Sequence, residues 1–264
     1  MTSIERYETI KIEKEEGVVW ITLNRPTRLN AINLEMLNEL LSVLEEVEGD
    51  EEVRCVILTG AGNKAFSVGA DITSFVSKSP RDIHEIIRQG QRLMSKIENS
   101  SKIYIAIIKG YCLGGGLEPA ISCDFRIAAE NAELGFPEIN LGIIPGWGGT
   151  QRLPRIVGLG KAKEFIMLGN VIHAQDALEI GLVNKVVPID NLIDEVREVA
   201  NRIVKGSSVA LKYAKYVLNL DIQIPLESRF RIETETWFTL FSTKDAEEGL
   251  RAFIEKRKPV FMRK

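Results

Sequence analysis

The sequence predicts an α/β fold with largely parallel strands, followed by a helical C-terminal region. Three observations carry this expectation. Short β-like runs alternate with helix-like segments through the first half of the chain, the pattern of strands joined by crossover helices. Residues 55–58 and Ile103–Ile108 are unbroken apolar stretches, as parallel strands covered on both faces are. After Ala174 only residues 183–187 keep strand character.

Taken in order, residues 7–13 and Val18–Leu23 read as strands on either side of a turn at Gly17. Asn33 can cap a helix in which Leu37, Leu40, Leu41 and Leu44 recur at helical spacing. Residues 55–58 return to strand, residues 80–97 are helical with Ile83, Ile86, Ile87 and Leu93 on one face, and Ile103–Ile108 is again strand. Beyond Ala174, residues 192–204, 209–220, Leu226–Phe241 and 244–256 read as helices, divided at 206–207, 221–225 and 242–243.

The chain has 264 residues, 45% of them apolar and 27% charged, the composition of a soluble globular protein with a core of its own. Its 34 Lys and Arg face 37 Asp and Glu, a net charge of −3. No broad basic field exists to draw nucleic acid or an anionic membrane, so neither is expected as a partner. No apolar run approaches the roughly 18 residues of a membrane span, and residues 1–16 are polar where a signal peptide carries an apolar stretch; a cytoplasmic protein is expected. Cys55, Cys112 and Cys123 are odd in number and lie in apolar surroundings, which suits buried thiols in a reducing compartment. His84 and His173 are the only histidines and have no close His or Cys company, so no metal site is expected.

Chemistry concentrates in residues 110–149, which hold nine of the 21 glycines and three of the nine prolines. Such density points to tight turns, close backbone approach, or amides aimed at a ligand. Glu118 follows Gly114, Gly115 and Gly116, and Glu138 follows the segment that begins at Gly135. A strand running into the glycine triplet and then into a helix near Leu117 leaves unpaired amides at the helix start, suited to an oxyanion. A carboxyl in the first turn stands beside those donors. With Glu138 opposite, the pair could add and remove protons, and apolar burial would raise both carboxyls toward the useful range. A purely architectural reading of the same residues is that the triplet packs a helix closely on a strand and both glutamates cap helix starts.

Five segments, LNRP (23–26), AFSVGAD (65–71), GYCLGGGLE (110–118), GFPE (135–138) and PGWGGTQRL (145–153), resemble the crotonase (enoyl-CoA hydratase/isomerase) superfamily in order and spacing, and AQDALEIGLV (174–183) is similar to the segment that follows its core. The resemblance implies an α/β crotonase-like spiral of ββα units over residues 1–195, with helices over 196–264 that assemble a homotrimer or a dimer of trimers. It implies an acyl-CoA thioester as substrate, with coenzyme A part of the substrate and no separate cofactor or metal. The thioester oxygen would lie in an oxyanion hole of the backbone amides of Ala70 and Gly115. Keeping both Glu118 and Glu138 resembles the hydratases: reversible syn hydration of a short-chain 2-enoyl-CoA to a 3-hydroxyacyl-CoA, Glu118 activating water and Glu138 delivering the proton to the α carbon. Arg28, Leu29, Ala65, Ala70, Asp71 and Ile72 match the family's coenzyme A contacts. Trp237 and Lys256 match positions through which a neighbouring subunit reaches the same ligand.

Val68 and Pro119 depart from the family's usual residues, and Phe136 and Trp147 put bulk near the expected pocket, which suggests short acyl chains. Three other readings compete. An enoyl-CoA isomerase of the same superfamily needs only one well-placed glutamate. A Rossmann-type reading finds G-x-G-x-x-A at residues 60–65 after a strand, with Glu85 twenty residues on; residues 66–71 contain Ser67, Gly69 and Asp71 where an immediate long helix should dock. A non-catalytic RNA-binding member would need a basic face, and Arg81, Arg88 and Arg92 are interleaved with Asp82 and Glu85.

Overall fold

A hairpin starts the first sheet. In the computed structural model, which describes residues 2–4, 6–76, 78–220 and 223–262, β1 (Thr2–Ile4), β2 (Ile10–Glu15) and β3 (Val18–Leu23) run antiparallel. Glu16 and Gly17 make the turn between β2 and β3, both with positive φ. A 3-10 turn at Pro26–Arg28 leads to α1 (Leu34–Gly49), capped by Asn33 Oδ1, which accepts from the Met36 amide at 3.0 Å. Met36, Leu37, Leu40, Val43, Leu44 and Val47 form its buried stripe. Truncating a buried leucine such as Leu37 to alanine costs about 2–5 kcal/mol.

The chain then repeats one supersecondary unit. β4 (Cys55–Gly60) and β5 (Ala65–Ser67) precede α2 (Pro80–Asn99); β6 (Ile103–Ile108) and β7 (Tyr111–Leu113) precede α3 (Leu117–Ser122); β8 (Phe125–Ala129) and β9 (Glu133–Gly135) precede α4 (Gly149–Leu168). In each unit the first strand joins the large sheet, ordered β1-β2-β3-β4-β6-β8 and then β11, and the second joins a small sheet whose other end is β10. The β3–β4, β4–β6 and β6–β8 pairs are parallel, as are β5–β7 and β7–β9. This is the spiral of ββα units that the resemblance implies. β10 (Val171–His173) closes the small sheet, α5 (Ala174–Glu179) follows, and β11 (Lys185–Val187) closes the large one.

Every residue of β4 and β6 is buried, which explains their unbroken apolar runs. Val56, Leu58, Ala106 and Ile108 pack into the cluster that contains α1 and α2. Cys55, Ile57, Ile105 and Ile107 pack into the opposite one, completed by Val196, Ala200 and Ile203 of α6 (Leu192–Lys205). The division expected at residue 195 falls inside this helix. α7 (Ser208–Leu218), α8 (Leu226–Phe241) and α9 (Lys244–Ile254) follow, so the last helix ends before Lys256. Residues 221 and 222 of the expected break at 221–225 lie outside the described residues. Lys215 fastens α7 to the core: its buried Nζ pairs with Asp124 at 2.8 Å and donates to the carbonyls of Ile97 and Lys102. All three cysteines are buried and unpaired. Among the described residues no helix is long and apolar enough to cross a membrane.

Candidate active site

The small sheet positions the glycine triplet. β7 ends at Leu113, Gly114–Gly116 form a 3-10 turn, and α3 begins at once with all six of its residues buried. Gly114 turns with a φ of 54°, where a β carbon would lie 2.8 Å from Glu138 Oε1. β5 runs parallel to β7 and so brings residues 69 and 70 alongside the triplet. A β carbon on Gly115 would lie 3.0 Å from the Ala70 nitrogen, and one on Gly69 would lie 3.1 Å from the Gly115 nitrogen. The two amides proposed by the resemblance therefore stand beside each other.

Local hydrogen bonding bypasses both. The parallel bridge between Ile32 and Ala70 uses the Gly69 carbonyl, which accepts from Ile32 at 2.8 Å, and the Asp71 amide, which donates to Ile32 at 2.9 Å; the Ala70 N–H between them is left out. In the 3-10 turn that starts at Gly114, the Gly115 N–H precedes the first donor of the i→i+3 pattern. Two adjacent, uncommitted N–H groups form a cradle for a negatively charged oxygen.

Glu118 and Glu138 flank this cradle. Glu118, 2% exposed, accepts two backbone hydrogen bonds at its Oε1, from the Trp147 and Gly149 amides, each at 2.7 Å. Burial pushes its carboxyl up to about 8 against the pull of those donors, and the charge of Glu138 adds to the rise. Glu138, 9% exposed, sits in the 3-10 helix Pro137–Leu141, and its buried Oε2 finds no hydrogen-bond partner among the described residues. Burial pushes it up to about 7. Two carboxyls near neutrality, with free acceptor capacity beside an oxyanion cradle, can hold a water and exchange protons with a bound carbon acid.

The expected coenzyme A contacts divide into two groups. Leu29, Ala70 and Asp71 lie on two loops and Ala65 opens β5, all knit together: the Val68 amide donates to the Leu29 carbonyl at 3.2 Å, and Asn30 Nδ2 donates to the carbonyls of Ala61 and Ala65 at 3.0 and 2.8 Å. Arg28 and Ile72 are exposed on the same loops. Asp71 is committed to Arg25 Nη1 at 3.0 Å and to the Thr73 hydroxyl at 2.6 Å, which hold its carboxyl below the usual range. Trp237 is exposed on α8 and stacks on Phe241 with ring centroids 5.1 Å apart; Lys256 is exposed beyond α9. Among the described residues no hydrogen bond joins either to Glu118, Glu138, Ala70 or Gly115.

Arg25, Asn30 and the amides of Trp147 and Gly149 are structural supports that the residue pattern did not single out. Arg25 lies in the LNRP segment, yet nothing local to it signals its pairing with Asp71. Cavities of about 450, 530 and 530 Å³ border α7, and none is lined by the two glutamates, Ala70 or Gly115. The two buried carboxyls beside the Ala70 and Gly115 amides, not cavity size, mark the site. Among the described residues no three His, Cys, Asp or Glu side chains are grouped to hold a metal ion.

Residues 13–264 match the enoyl-CoA hydratase/isomerase family. A crotonyl-CoA hydratase of Syntrophomonas wolfei is 43% identical over 98% of this chain and 99% of its own length. A short-chain-enoyl-CoA hydratase of Clostridium acetobutylicum is 45% identical over 94% of this chain and 95% of its own. The crystal structure of an enoyl-CoA hydratase from Bacillus anthracis superposes with a TM-score of 0.94 at 40% identity, covering 97% of this chain and all of that one.

Proposed function

The chain belongs to the enoyl-CoA hydratase/isomerase family, and from that premise we propose that it adds water reversibly, and syn, across the 2,3 double bond of a 2-enoyl-CoA to give a 3-hydroxyacyl-CoA. The observation that carries the reading is the pair of buried carboxyls, one anchored and one with an orphaned oxygen, on either side of adjacent free amides. The thioester oxygen accepts from the Ala70 and Gly115 N–H groups. Charge that develops there as the enolate forms is worth roughly 3–4 kcal/mol per donor.

Glu118 binds and activates the water. Its Oε1 is fixed by two amides, so the carboxylate has one orientation, and Oε2 takes the proton as the water oxygen bonds to C3. Glu138 delivers a proton to C2, and the enolate collapses to the thioester. Protons then redistribute through solvent. Burial pushes Glu118 up to about 8 and Glu138 up to about 7, so between those values the pair holds one proton, which rests on Glu118 in the free site and passes to Glu138 before water is activated; the roles belong to the pair rather than to fixed charges. No metal or organic cofactor takes part in this scheme.

Leu29, Ala65 and Ile72, with Arg28 at the rim, contact coenzyme A, while Asp71 holds the loop through Arg25. α8 buries no residue of its own and exposes Phe230, Trp237, Phe238 and Phe241. These faces pack in a homotrimer or a dimer of trimers, which carries Trp237 and Lys256 to a neighbour's ligand. A monomer in sedimentation equilibrium would contradict this assembly. Fatty-acyl thioester metabolism in the cytoplasm is the setting that suits the reaction.

Purified protein mixed with crotonyl-CoA is expected to consume the ultraviolet absorbance of the conjugated thioester and to release 3-hydroxybutyryl-CoA. Folded protein that consumes none, with crotonyl-CoA or longer 2-enoyl-CoAs, defeats the reading. The freer Glu138 favours isomerisation as the second activity; a 3-enoyl-CoA converted to the 2-enoyl isomer, with no hydration of either, would establish it instead.

A further inference from the structure

The indole of Trp147 is buried, 2% exposed, and held at both edges by glycines from different elements. A β carbon on Gly90 of α2 would fall 2.1 Å from its Cδ1, and one on Gly115 would fall 3.1 Å from its Cζ3. The pyrrole edge thus occupies the place of a side chain on α2, and the benzene edge lies beside the Gly115 amide. The backbone is stitched down too: Gln91 Nε2 donates to the Gly146 carbonyl at 3.0 Å, and the Trp147 N–H donates to Glu118 at 2.7 Å. Such a ring has no room to swing aside.

Its Nε1 is buried without a hydrogen-bond partner among the described residues. An orphaned indole N–H is costly, so the ring is placed for its volume and not for its polarity. Phe136 is equally buried, but its ring edge meets Gly149 and not the glycine triplet.

We infer that Trp147 fixes the acyl-chain length that the site accepts, by filling the chamber into which a longer chain would extend; the inference rests on the hydration reading above. In the hydration reading the carbonyl oxygen sits on Ala70 and Gly115 and C2–C3 lies between the glutamates, so carbons beyond C3 meet the Trp147 ring that abuts Gly115. Trp147 supplies that anchor through its backbone and blocks the space behind it through its ring. The substrate class is therefore short 2-enoyl thioesters.

The test compares kcat/KM for 2-enoyl-CoAs of four, six, eight and ten carbons in the wild type, Trp147→Phe and Trp147→Ala. The wild type is expected to fall steeply with length. In Trp147→Ala the eight-to-four-carbon ratio rises by about tenfold or more, the scale set by methylenes in an apolar pocket, with Trp147→Phe between. A simple structural role would lower all substrates together. Turnover of the four-carbon substrate with an unchanged ratio in either variant overturns this inference alone. Should neither variant fold, a wild type that hydrates eight- and ten-carbon substrates as well as crotonyl-CoA overturns it, and a steep decline supports it. No turnover of any enoyl-CoA by the wild type overturns both this and the hydration reading.

Discussion

Glu118 and Glu138 are the same residue type set in opposite kinds of backbone. Glu118 belongs to a helix that is buried throughout, and its Oε1 is clamped by two amides at 2.7 Å. Glu138 belongs to a 3-10 turn whose other residues reach the surface, with Leu141 58% exposed, and its buried Oε2 finds no hydrogen-bond partner among the described residues. Burial raises both carboxyls, yet only Glu118 is clamped by amides of another segment, whereas Glu138 meets its own amide. The difference teaches that anchoring and proton exchange are assigned by the backbone around a carboxyl, not by the carboxyl itself.

The largest expected effect is on turnover. Glu118→Gln and Glu138→Gln should each lower kcat for crotonyl-CoA by about 10²–10⁴ with little change in fold by circular dichroism, because each removes proton transfer. A near-normal kcat in either would break the contrast between an anchored and a proton-exchanging partner. Next is Gly115→Ala, whose added carbon would stand 3.0 Å from the Ala70 nitrogen. It should cost about 10² in kcat through the oxyanion cradle, with both glutamates untouched.

Smaller effects come from pH. With one proton shared between about 7 and about 8, kcat/KM should peak in that interval and fall about tenfold per unit on either side. The smallest effect is on stability. Both carboxyls are raised above their ordinary values, so each favours the folded state fully at low pH, and that contribution is lost as pH rises through the raised value. Glu138→Gln gives up no bond at Oε2 and escapes the loss. Its Tm should exceed that of the wild type by about 3–8 °C at pH 8 and match it near pH 4, read by calorimetry.

Much of this arrangement was legible in the residues, for identifiable reasons. The strands around residues 18–23, 55–58 and 103–108 stood out because burial on both faces demands continuous apolar runs. The glutamates stood out because glycines surround them. The small sheet did not, since three-residue strands are too short to show a period. α4 was hidden by Pro154 and by Gly158, whose φ of 79° breaks the helix. The clamp on Glu118 was hidden because any residue at 147 or 149 other than proline offers the same N–H. Arg25 and Asp71 lie 46 residues apart, and nothing local connects them.

If the two carboxyls act as one proton-sharing unit, a double-mutant cycle shows it most directly. Measured on crotonyl-CoA, kcat of Glu118→Gln/Glu138→Gln should lie within a few-fold of the slower single variant, as for groups that work together. A double variant slowed by the product of the two single losses would show two independent contributions and contradict the account.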